Sequence, residues 1–263
     1  PLSGAAAPVT LRGAVVQHCA ENLSGLVIHQ LAGAGSPVTY GGAPAAFDMR
    51  RGTTPMGAIE TLMIDLAAAQ VGRTLGLPTH AYMGLSEAKV PDYQAGLETG
   101  VGAVLAAAGG VHLVSGGGLL DYLLTQSLEK LLLDHEACGL ALRLARGIEG
   151  EATDIVALLG ELAASGSLLG HPHTRAHWRR ELTVPSELVD RATYGDWEKA
   201  GATWAHERAA AEVARRLASA RAEPLPETLA AELAAIMAAE ARRWGAESLP
   251  ALPDRMAGGD TPR

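Results

Sequence analysis

Aromatic side chains are scarce in this sequence: they make up 4% of its 263 residues, with a single phenylalanine. Wherever the few rings gather, their placement therefore carries information. Cysteine is scarcer still, with Cys19 and Cys138 the only two. Neither lies in a CxxC or histidine-flanked spacing, which excludes a disulfide framework or a structural zinc site as the basis of the fold. Basic residues are outnumbered, giving a formal charge of -8 and a pI near 5.6. Without a basic stripe to neutralise a phosphate backbone, nucleic acid is not an expected partner. No run reaches the roughly 18 consecutive apolar residues of a membrane span, and the amino terminus lacks the basic, apolar, small-residue order of a signal peptide. The reading is a cytoplasmic protein with no membrane partner.

What is present is a large apolar fraction, 48%, against 19% charged residues, enough for a substantial core. Strand and helix signals alternate. Leu11, Val15, Cys19, Leu23, Val27 and Leu31 recur every four residues and predict a helix over 10–31. Pro37–Tyr40 before Gly41-Gly42 predicts a strand. Thr54 as N-cap with Pro55 in the first turn predicts a helix ending near Gly76. Thr79–Met83 predicts a second strand, Pro91–Gly109 a helix, and Val111–Val114 a third strand followed by Ser115 and three glycines. A Leu-rich helix is predicted from Asp121 to about Ile148, and Leu168-Leu169 forms a weak fourth strand signal.

This alternation every 30–40 or so residues marks parallel βαβ units. The expected class is α/β, a (β/α)8 TIM-type barrel of which only the carboxy-terminal half is present. A doubly wound open sheet is the competitor, although no GxGxxG or P-loop follows a strand. Pro1–Gly4 reads as the loop after a strand, so the true beginning is expected to be missing. Residues 1–170 are read as the half-barrel and 171–263 as a helical extension packed on it, frayed from Ala257.

In parallel barrels the strand carboxyl ends carry the site. Tyr40, Phe47, Tyr82, Tyr93 and Tyr122 all fall at or beside those loops, and ring faces suit a methylated ammonium ion that cannot donate hydrogen bonds. These rings would equally well cap the core. The same loops carry Asp48, Arg50, Arg51, Glu87, Lys89 and Asp92. His18, Asn22 and His29 lie at the edge of the first helical stripe and read as packed or boundary polar residues. His171 and His173 alternate along an extended segment, which suits a metal poorly without a third ligand, so no metal site is expected. Ser127–Lys130 satisfies an SxxK pattern by chance, lacking its companion motifs.

Taken in order, Pro1–Pro8 (PLSGAAAP), Pro37–Gly41 (PVTYG), Asp48–Arg50 (DMR), Lys89–Gly96 (KVPDYQAG), Ser127–Lys130 (SLEK) and Gly170–Thr174 (GHPHT) resemble successive motifs of the trimethylamine and quaternary-amine methyltransferase family. The resemblance spans nearly the whole chain. It implies a barrel that passes a methyl group from a methylated amine to cobalt in a cognate corrinoid protein, with no corrinoid tightly held by the chain itself. The trimethylamine enzymes of the family use pyrrolysine to activate a tertiary amine. None is written here, which favours a quaternary substrate such as a betaine, whose carboxylate would pair with Lys89 or Arg50.

The residues expected in the reaction are Asp48, Lys89 and Asp92, with Tyr40, Gly41, Gln94, Ser115 and His171 binding substrate. The family pattern has Asp-Ser-Lys where this chain has Glu87-Ala88-Lys89, which shifts the acidic group and leaves Asp92 and Glu98 as acidic candidates. A second copy of the chain is a further candidate partner. The alternative reading is a non-catalytic half-barrel, or scaffold, that only contacts a corrinoid protein.

Overall fold

Four short parallel strands, each followed by a helix, make up the first half of the chain. They are seen in a computed structural model that describes residues 1–150, 153–220 and 224–249. The order is β1 (Leu2–Ser3), α1 (Leu11–Ala32), β2 (Tyr40–Gly42) continuing after a break as β3 (Ala45–Ala46), α2 (Ile59–Thr74), β4 (Thr79–Tyr82), α3 (Tyr93–Gly109), β5 (Leu113–Ser115). After a small antiparallel hairpin, β6 (Leu119–Leu120) with β7 (Thr125–Gln126), comes α4 (Leu128–Arg146). β1 pairs with β3, and β2–β4–β5 form a sheet in that order, all parallel. The fourth strand signal thus sits at Leu2–Ser3, where a loop was expected. Leu168-Leu169 is no strand: its backbone is taken into a turn in which the Leu168 carbonyl accepts from His171 N–H and Thr174 Oγ1.

Parallel neighbours require a crossover on one side of the sheet, and that layer holds the main core. Ala81 and Met83 pack with Leu62 of α2 and Ala106 of α3. β2 approaches β4 so closely that Gly41 is required: its φ is +142°, and a Cβ there would stand 1.9 Å from the His80 carbonyl oxygen. No other residue adopts this geometry without strain.

Two helix starts differ from the periodicity. α2 begins at Ile59 rather than Thr54, because the Pro55 carbonyl accepts from Thr61 Oγ1 and the N–H groups of Met56 and Gly57 donate to Glu87. α4 begins at Leu128 rather than Asp121, because the Ser127 hydroxyl caps it by accepting from Lys130 N–H, the usual use of serine at that position. On α1 the buried residues are Ala14 and His18, while Leu23, Val27 and Leu31 of the expected apolar stripe are exposed. Burial, followed by the nearby terminal ammonium, lowers the His18 pKa to about 4.

Between α3 and α4 lies a buried ion pair. Lys130 Nζ donates to Asp134 Oδ2 at 2.5 Å and to Thr99 Oγ1 at 2.8 Å, and the same aspartate oxygen accepts from Gly118 N–H at 2.7 Å. Further along are α5 (Ile155–Ser165), α6 (Pro172–Glu181), α7 (Tyr194–Lys199), α8 (Ala205–Ser219) and α9 (Glu227–Arg243). The chain divides into two compact units, Pro1–Val213 and Ala214–Arg263. The fraying expected from Ala257 lies outside the described residues.

Asp65 on α2 is buried, and its Oδ2 has no hydrogen-bond partner among the described residues. Burial raises its pKa from 3.8 to about 8. The folded state therefore holds a proton that an unfolded aspartate has already released, and stability falls as pH rises between those two values. Chemical denaturation should show the protein losing a few kcal/mol from pH 5 to pH 8, on the order expected for several pKa units, and Asp65→Asn should remove most of that loss.

Candidate functional site

Successive residues of a strand face opposite sides of the sheet. With Thr79, Ala81 and Met83 turned into the helix layer, His80 and Tyr82 occupy the other face. In register with Tyr82 is Ser115 at the end of β5. His80 Nε2 and Ser115 Oγ are hydrogen-bonded at 2.8 Å, and the His80 and Tyr82 rings meet edge to face at 5.2 Å. Tyr82 packs, with Leu2, Leu119 and Leu123, against a buried cluster of Ala45, Met56 and Leu85. These come from β1, from β3, and from the segments that trail β3, β4 and β5. The strand-end segments thus do converge on one place, and Tyr82 stands in it.

Two polar ties hold those segments together. The buried Glu87 carboxylate accepts from Met56 N–H at 2.8 Å and from Gly57 N–H at 3.0 and 3.1 Å. Burial raises its pKa, and the Glu98 charge adds to this against the pull of the N–H donors. Glu98 in turn accepts from Ser86 Oγ, Glu87 N–H and Gln94 Nε2. The second tie is Lys89. Its ammonium donates to the Glu87 carbonyl at 2.7 Å, pairs with Asp121 at 2.7 Å and lies 4.4 Å from the centre of the Tyr122 ring. The hydrogen bond to Asp121 is the chief reason its pKa is raised. Asp121, Tyr122 and Leu123 all have left-handed backbone, φ 49°, 55° and 68°, at a cost of roughly 1–2 kcal/mol for each non-glycine residue.

The residues expected from sequence are distributed as follows. Ser115 lies on the His80–Tyr82 face, Lys89 is tied to the segment after β4 through the Glu87 carbonyl, and Gln94 donates to Glu98. Tyr40 turns the other way, against Gly72 and Thr79. Burial, then the adjacent Cys19 thiol, raises its pKa. Gly41 N–H donates to Asn22 Oδ1, so Gly41 serves strand packing. Asp48 is spent on a turn, accepting from the N–H groups of Arg50 and Arg51, which lower its pKa. Asp92 caps α3 by accepting from Ala95 N–H.

His171 caps α6 through Nδ1, and its Nε2 meets Glu161 Oε2 at 2.7 Å. Its engagements are local to α5 and α6. Among the described residues no group of three or more His, Cys, Asp or Glu side chains is placed to hold a metal ion, and no described helix is long and apolar enough to cross a membrane. His80 was missed in the sequence. Its signal was available, since it alternates with buried residues on a predicted strand two positions before Tyr82.

This arrangement, parallel strands with trailing segments gathered over a polar and aromatic face, defines an α/β protein with a strand-end site. Its family can be stated. Residues 1–245 match the family model for trimethylamine methyltransferase (MTTB), and the chain belongs to that family. It is 36% identical over 214 residues to the trimethylamine methyltransferase MttB of Methanosarcina thermophila, covering 79% of this chain and 44% of that protein. It is 34% identical over 240 residues to MttB of Desulfitobacterium hafniense (strain DSM 10664 / DCB-2), covering 90% and 47%. With the glycine betaine methyltransferase of Desulfitobacterium hafniense (strain Y51) the identity is 34% over 203 residues, covering 75% and 42%. The chain spans about half the length of the curated relatives it matches.

If Lys89 holds the strained hairpin, Lys89→Ala should accelerate amide hydrogen exchange over Leu119–Gln126 by about tenfold, a value typical of losing a modest local interaction. Lys89→Arg should stay near the parent rate.

Proposed function

We propose that the chain supplies the substrate-binding face of a methyltransferase that moves a methyl group from a quaternary amine, of the betaine type, to cobalt in a corrinoid protein. The single observation that carries this reading is the grouping of His80, Tyr82 and Ser115 on one sheet face at the strand ends. We further infer that the four strand–helix repeats are half of a (β/α)8 barrel, whose inner face this would be. The consecutive parallel order of β1, β2 with β3, β4 and β5 supports that inference.

The chemistry asks little acid or base work of the protein when the nitrogen already carries its positive charge. The corrinoid, as methyl acceptor, supplies a cobalt(I) nucleophile that must approach the methyl carbon in line. What the chain must do is hold the N–CH3 bond toward the mouth and keep water out. The Tyr82 ring offers its face to the ammonium. Ser115 and His80 share one hydrogen bond and retain capacity for a substrate carboxylate. Lys89, engaged with Asp121, Tyr122 and the Glu87 carbonyl, acts here by positioning the rim rather than by pairing with substrate. Asp48 and Asp92 have the same supporting character, fixing a turn and a helix start.

The test offers glycine betaine, carnitine, choline and trimethylamine to the protein with cob(I)alamin or a corrinoid protein and follows methylcobalamin formation by absorbance. Glycine betaine-like substrates should be demethylated, and His80→Ala should lower kcat/KM by at least about tenfold, roughly 1.4 kcal/mol or more of transition-state stabilisation. No methyl transfer from any of the amines would overturn the reading and leave the scaffold alternative.

A further inference from the structure

Behind the strand-end site, on the helix side, is a cavity of about 810 Å3. It opens between the first turns of α3 and α4 and the segment Trp204–His206, which leads into α8. The volume falls in the range of small-molecule sites. Most of the lining is apolar, with Val90, Pro91, Leu133 and Ala137 among its walls and the exposed rings of Tyr93 and Trp204 at its edge. Its polar part comprises Asp92, His206 and the buried Lys130–Asp134–Thr99 group, the last internally compensated: the ammonium has the carboxylate at 2.5 Å and the threonine hydroxyl at 2.8 Å.

Gly96 gives an independent reason to regard the space as kept open. It lies within α3 with ordinary negative φ, and a Cβ built on it would meet nothing within 4 Å. Neither backbone conformation nor close packing requires glycine there. Glycine weakens a helix interior relative to other residues, and Gly96 lines this cavity. Its effect is to leave the wall low where a side chain would project into the space.

We propose that this cavity is a binding site for a largely apolar small molecule that carries an aromatic ring and no negative charge. A ring matches the apolar walls and the Tyr93 and Trp204 rim by offset or edge-to-face contact. An anionic ligand is disfavoured, because the Lys130 ammonium already has its carboxylate and the Asp92 carboxylate also stands in the lining. The site is distinct from the His80–Tyr82–Ser115 face. The two are nevertheless joined, since Asp134 Oδ2 also accepts from Gly118 N–H, three residues beyond Ser115.

The experiment titrates the full chain with indole, and in parallel with indole-3-acetate, by calorimetry and by ligand-observed NMR. Indole should bind saturably at one site per chain, and indole-3-acetate at least about tenfold more weakly, the scale of an uncompensated buried charge. Gly96→Leu should fill the cavity and weaken indole at least about tenfold, while circular dichroism and the thermal midpoint remain at or above those of the parent. Absence of saturable indole binding, binding unchanged in folded Gly96→Leu, or equal affinity for indole-3-acetate would overturn the proposal. None of these outcomes depends on methyl transfer.

Discussion

The organisation of the strand-end region depends on one carboxylate. Glu87 reaches from the segment after β4 to the backbone of Met56 and Gly57 in the segment after β3. A buried carboxylate is tolerable when it is well supplied with hydrogen bonds, and each amide it serves would otherwise be a buried unsatisfied donor. The contact therefore works in both directions. It keeps 55–58 out of helix, it holds Met56 in the apolar cluster against which Tyr82 packs, and it holds the backbone that leads on to Lys89. Glu98 repeats the device one step further back, fixing Ser86 and the Glu87 amide from α3.

From this anchor the rest of the region follows. With Glu87 set, its carbonyl is available to Lys89, whose ammonium reaches Asp121 and the Tyr122 ring. Three segments that the chain order separates by tens of residues become one rim around a shared apolar cluster. The face beneath it bears His80, Tyr82 and Ser115.

Much of the fold was legible from periodicity. α1, α3, β4 and β5 lie within a few residues of where apolar spacing, glycines and prolines put them, and the parallel α/β class followed from their alternation. What was not legible was decided by distant partners. Thr54-Pro55 has the signature of a helix start, yet the following amides are claimed by Glu87, thirty residues on. Leu119–Gln126 has helical composition, yet Ser127 caps the helix and the upstream residues turn back on themselves. Ser115 and Lys89 were singled out because they stand beside strand ends; the structure puts Ser115 beside His80 and turns Lys89 to Asp121 and Tyr122. Tyr40 was drawn to the wrong face, because the direction of a strand's first residue depends on a register that the sequence alone does not show. His80 was passed over because it lies inside a strand rather than in the loop after it.

A single oxygen of Asp134 serves both Lys130 and the amide of Gly118. Its lone pairs are thus divided between the seam of two helices and the glycine turn that follows β5. Any rearrangement that redirects this oxygen toward one claimant must slacken its hold on the other. The helix seam and the turn are consequently a mechanically linked pair, able to pass a shift of a few tenths of an ångström across the thickness of the layer without any side chain travelling the distance.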